Sequence, residues 1–100
     1  MLSSEMVRAG RALLRWEQKD LAEASGVSLP TIKRLEAVPG ALSAHGPTIA
    51  AMRRAFEAAG LEFIPENGGG AGIRFRKRKG YALEQSGRTT EHLKAKGYLR

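Results

Sequence analysis

The sequence predicts a mainly α-helical protein, a core of four short helices followed by a C-terminal β-hairpin. Three observations predict it. Before Gly60, apolar residues recur at three- and four-residue steps in four separate stretches. Those stretches are punctuated by residues that start or stop helices: Ser3 or Ser4, Gly26, Ser28, Pro39-Gly40, Pro47 and Gly60. Beyond Gly60 the pattern changes to alternation, in LEFI and IRFRKR, with the turn-rich connector PENGGGAG between them.

The first helix is capped by Ser3 or Ser4, whose hydroxyl can accept from a first-turn N–H, and Glu5 suits the positive end of the helix dipole. Val7, Gly10, Arg11 and Leu14 then share a face, which carries the helix to Arg15. The second runs from Gln18 to Ala24 with Leu21 and Ala22 inward, and Gly26 stops it because glycine accepts the left-handed conformation. Ser28 caps the third helix, Leu29–Ala37, and Pro30 falls in the first turn, where its missing N–H costs nothing. Ile32 and Leu35 form its inner side, leaving Thr31, Lys33 and Arg34 outside. After the loop Gly40–Gly46, Pro47 opens the fourth helix, with Ile49, Met52, Arg53 and Phe56 along one side. The hairpin strands LEFI and IRFRKR need a helix to lie on or a second chain to pair with, since two strands alone are marginal in water.

With 100 residues, 42% of them hydrophobic, the chain can bury one modest core. We divide it into a helical domain (1–60), a hairpin and basic arm (61–79), and a polar tail (80–100) expected to be flexible, with one helix-compatible stretch at Thr90–Lys96. A formal charge of +7 favours polyanionic partners, and its distribution is uneven: residues 1–60 carry eight basic and six acidic side chains, residues 61–100 nine and four. The absence of cysteine removes disulfides, thiolate nucleophiles and cysteine-based zinc sites. No membrane-spanning run or secretion signal is visible, so we expect a soluble, cytoplasmic protein without a membrane partner.

The stretch EASGVSLPTIKRLE, helix, glycine-containing turn, helix, has the shape in which a second helix enters the DNA major groove while the first lies across the backbone. RALLRWEQKDLAEASGVSLPTIKRLE resembles the Xre family of helix-turn-helix regulators (Cro/C1 type), a lambda-repressor-like fold. The resemblance covers roughly residues 5–60. LEFIPENGGGAGIRFRK is also similar to the tail of many small bacterial members.

The resemblance implies a DNA-binding role for Gln18, Ser28, Leu29, Pro30, Thr31, Lys33 and Arg34. Gln18 would place its amide against a phosphate, and Ser28 would cap its helix and touch the backbone. The remaining five occupy positions that read bases or nearby phosphates. Arg34 can donate twice to guanine, Thr31 can bond a base or touch a thymine methyl, and Leu29 offers only apolar contact. Where the family commonly has Ser, Thr or Asn at the start of the second helix, this chain has Glu17, a poorer cap whose charge would sit near phosphates. The resemblance also implies a structural ion pair between Arg11 and Glu36, and a bacterial, nucleoid-associated location.

The basic run Arg74, Arg76, Lys77, Arg78 and Lys79 is either a phosphate-tracking strand or charge that guards an exposed β-edge. His45 and His92 lack metal-site or catalytic spacing and read as solvent-exposed bystanders; no cofactor or metal is expected. Trp16 reads as packing at the corner between the first two helices. No paired carboxylates or nucleophile with a base can be assembled, so an enzyme is not expected.

The leading expectation is a sequence-specific transcriptional regulator, a repressor, binding a two-fold symmetric operator on double-stranded DNA as a homodimer, with the hairpin as candidate interface. The alternatives are an antitoxin that represses its own operon and masks a toxin, its protein partner, through the C-terminal region, and an adaptor that keeps the fold without binding DNA.

Overall fold

Ser3 begins the first helix: its backbone is extended and its Oγ accepts from the Met6 N–H at 3.1 Å. The computed structural model describes residues 2–77. They form α1 (Ser4–Leu14), α2 (Gln18–Ser25), α3 (Leu29–Ala37), α4 (Gly46–Ala58), β1 (Leu61–Ile64) and β2 (Gly72–Phe75). The chain is mainly helical, with a small antiparallel sheet after the helices. Arg78, Lys79, His92 and the tail with its Thr90–Lys96 stretch lie outside the described residues.

Three helix ends differ from the sequence reading. Arg15, expected as the last helical residue, is instead a left-handed cap with φ of 57°. That conformation turns the Arg15 and Trp16 N–H groups back onto the carbonyls of Ala12 (3.2 Å) and Arg11 (2.8 Å), satisfying the helix end without a glycine. α2 reaches Ser25, whose hydroxyl donates to the Leu21 carbonyl at 2.6 Å. α4 begins at Gly46, with Pro47 in its first turn and His45 as the cap residue.

Leu2, Val7, Leu21, Ile32, Leu35, Met52, Ala55, Phe56 and Leu61 form the core. Gly10 lets α1 approach Phe56 closely: a Cβ there would lie 2.8 Å from the Phe56 ring. Trp16 is half-buried and stacks on the other side of the same residue, with ring centroids 6.0 Å apart. Around α1 the loop after α3 is tied to the N-terminal segment. Ser4 N–H donates to Gly40 O (2.9 Å), Leu42 N–H donates to Leu2 O (3.1 Å), and Gly40 N–H donates to the Glu5 carboxylate (3.1 Å).

The hairpin finds its support within the chain. β1 and β2 pair with Leu61 opposite Phe75 and Phe63 opposite Ile73, and these four side chains turn toward α1 and α4. Glu62 and Arg74, opposite each other, form a cross-strand ion pair at 3.4 Å. Among the described residues no helix is long and apolar enough to cross a membrane.

Candidate nucleic-acid interface

Placement of α3 depends on the turn before it. Gly26, at φ of 77°, ends α2 by donating its N–H to Ala22 O at 2.9 Å. The Val27 N–H then donates to Ser25 Oγ at 3.1 Å. Ser28 caps α3: its Oγ accepts from the Thr31 N–H at 3.3 Å and its hydroxyl donates to Thr31 Oγ1 at 2.8 Å. Because Thr31 Oγ1 accepts that bond, its own hydroxyl hydrogen is left to donate outward.

Burial divides α3 into two faces. Ile32, Leu35 and Glu36 are buried, whereas Ser28, Pro30, Lys33 and Arg34 are exposed, and Leu29 and Thr31 are half-buried. Among the described residues neither Lys33 nor Arg34 takes part in an ion pair. The exposed face therefore carries two solvated cations and two hydroxyls. Such a set can engage phosphate oxygens, and the guanidinium can donate two parallel bonds to one planar acceptor edge.

The buried face is anchored by charge as well as packing. Arg11 donates to Glu36 through Nε (2.8 Å) and Nη2 (2.7 Å), a bidentate pair whose carboxylate side chain is only 4% exposed. Arg11 Nη1 also reaches Trp16 O at 3.1 Å. Gln18 joins the same carboxylate, donating Nε2 to Glu36 Oε1 at 3.2 Å. Its amide is thus half-buried and drawn toward the ion pair, in contrast to the outward placement that a phosphate contact requires. The pair lies between α1 and α3, with Gln18 tying in α2, so it fixes the seating of α3 on the other helices.

Two grooves flank the exposed ridge of α3. One, of about 230 Å³, lies at the starts of α2 and α3 and brings Gln18, Leu29 and Lys33 together with Glu17 and Lys19. The Asp20 carboxylate, and not that of Glu17, serves the start of α2 there, accepting from the Glu17 N–H at 2.7 Å. Glu17 instead projects into solvent, 3.7 Å from Lys19 Nζ. The other groove, of about 470 Å³, unites Thr31 and Arg34 with Ser43, His45 and Thr48 from the loop and the start of α4. Sequence reading missed Lys19, Ser43, His45 and Thr48. Only the return of the loop after α3 toward the first turn of α4 brings the last three beside Arg34, and no local pattern announces that.

The basic run of the hairpin is split by its environment. Arg74 is exposed and engaged with Glu62, and Lys77 is exposed. Arg76, grouped by sequence with the phosphate contacts, donates Nη2 to the carbonyls of Glu57 (2.7 Å) and Leu61 (3.1 Å). Those bonds direct it at the end of α4, where cations suit the unpaired carbonyls. Among the described residues no group of His, Cys, Asp or Glu side chains could hold a metal. Neither family models nor curated proteins give a match to this chain.

Proposed function

We propose that this protein is a sequence-specific DNA-binding transcriptional regulator of the Xre type, a repressor, in which α2 and α3 form the helix-turn-helix and α3 enters the major groove. The observation that carries the reading is the two-faced α3. Its apolar side and Glu36 are locked into the core while Ser28, Lys33 and Arg34 face solvent on a convex ridge. A helix so placed presents its donors at the depth that base edges require.

On this reading Arg34 reads a base, Thr31 donates to a base or phosphate, and Ser28 and Lys33 hold the backbone. The protein acts as a homodimer, because one α3 touches too few base pairs to select a site. Strand order is β1-β2, so each strand has one unpaired edge among the described residues. That makes the hairpin the candidate contact between copies.

The test is selection of bound duplexes from a random pool at physiological salt. The reading expects an enriched two-fold symmetric motif that Arg34→Ala abolishes or relaxes at one position per half-site. Recovery of no enriched motif refutes sequence-specific binding.

A further inference from the structure

The larger groove beside α3 contains a histidine that the readout of bases does not use. Thr31 and Arg34 form one wall, and Ser43, His45 and Thr48 the other, around about 470 Å³. Its lining residues include three hydroxyls, one guanidinium and one imidazole, and none is acidic. His45 is exposed and its side chain makes no capping bond to α4, so the ring is not committed to the helix it precedes.

The geometry points to a site for one phosphodiester of the DNA backbone in this groove, with His45 making that contact dependent on a proton. This rests on the DNA-binding reading and adds to it a ligand for a residue outside α3. Size and polarity suit the assignment: a phosphodiester group needs several donors converging on two oxygens, and Arg34 and the hydroxyls supply them from opposite walls.

The charge balance gives the sign. Arg34 is the other charged group on the lining. With the groove empty, a proton on His45 adds a second positive charge near the first, which disfavours it. With a phosphate seated between them, the imidazolium gains a charge-assisted hydrogen bond and the proton is favoured. Binding therefore takes up a proton, and by linkage affinity rises as pH falls through the range in which imidazole changes charge, about pH 5 to 8. Each additional phosphate neutralised steepens the dependence of log affinity on log salt by about 0.9.

The experiment measures dissociation constants by fluorescence anisotropy, on the full chain with a labelled duplex, at pH 6.0 and 8.0 over a salt series. Wild type, His45→Gln, His92→Gln and Arg34→Ala are compared. Wild type and His92→Gln should bind about fivefold more tightly at pH 6.0 than at 8.0, the size of one charge-assisted contact. His45→Gln should lose that gain, and its salt slope at pH 6.0 should be shallower than that of the wild type by about 0.9. Circular dichroism of the variants establishes that they are folded. Equal pH dependence in wild type and folded His45→Gln overturns the phosphate role of His45 and leaves DNA binding intact. Failure of the wild type to bind duplex at either pH overturns both. Addition of millimolar inorganic phosphate at constant ionic strength separates the sources: unchanged affinity supports a site assembled on the duplex backbone, and full competition assigns the groove to free phosphate.

Discussion

At the residue scale, the interior charge at Glu36 governs more of the molecule than any single apolar side chain. The carboxylate accepts from Arg11 Nε and Nη2 and from Gln18 Nε2, and almost none of it reaches solvent. Replacing such a pair by apolar groups of similar volume is often neutral, but removing one partner strands the other and costs about 3–5 kcal/mol. Glu36→Ala should therefore unfold the protein or nearly so, whereas Arg11→Met with Glu36→Leu should recover most of the loss; urea denaturation of the single and double variants checks both. An unchanged melting temperature in Glu36→Ala would refute the importance of the pair. Gly10 gives a second case in which magnitudes oppose each other. Alanine gains about 1 kcal/mol of helix propensity over glycine. Its Cβ, however, would sit 2.8 Å from the fully buried Phe56 ring, and overpacking of that kind costs about 1–3 kcal/mol. Gly10→Ala should thus lower the urea midpoint at unchanged m-value, by roughly 1 kcal/mol net.

At the element scale, helix ends and turns decide how the pieces meet, and here the legibility of the sequence varied most. Ser28, Pro30, Gly26 and Pro47 announce their elements because each acts through its own backbone, so their positions are readable locally. Arg15 is not readable, since a left-handed arginine is held there by the bonds that its own N–H and that of Trp16 make to the carbonyls of Ala12 and Arg11. Nor is the clamp of Gly40 on Glu5, which joins residues 35 positions apart. The residues of α3 that a DNA reading needs were visible as the outer positions of a short helix, while the inward turn of the Gln18 amide and the groove around His45 depend on tertiary placement. Arg76 is the sharpest example: it belongs to an alternating basic strand, yet its guanidinium serves the carbonyls of Glu57 and Leu61. Arg76→Ala should cost about 1 kcal/mol of stability by loss of those bonds. Arg74→Ala, which removes an exposed pair with Glu62, should cost less than about 0.5 kcal/mol. Thermal melts of the two variants separate them. The clamp at Gly40 has its own signature. Bonds from the Glu5 and Gly40 backbone N–H groups hold the Glu5 carboxyl below the usual carboxylate range. A lowered folded-state value means stabilisation that is present above the ordinary carboxylate range and lost as pH falls through the folded value. The stability difference between wild type and Glu5→Gln should accordingly shrink on acidification below about pH 4.

At the scale of the whole molecule, the proposal requires more than one chain, and the reason is arithmetic in the contacts. One α3 exposes Ser28, Lys33 and Arg34, with Thr31 half-exposed, and of these Thr31 and Arg34 have the chemistry to distinguish bases well. Each good bidentate contact discriminates by about 1–3 kcal/mol, too little for one chain to find a site among a genome of competitors. Two chains related by a two-fold axis double the discrimination, and they do so only if both α3 helices meet the same side of the duplex. That side recurs once per helical turn, so the half-site centres should be about 34–36 Å apart, or about 10–10.5 base pairs. Inserting five base pairs between the selected half-sites rotates one to the opposite side and should reduce binding to the level of a single half-site, while ten restores the facing and part of the affinity. Sedimentation equilibrium should give two chains per intact site. Equal affinity for all three spacings would mean that each chain binds alone, and the hairpin would then have no part in joining copies on DNA.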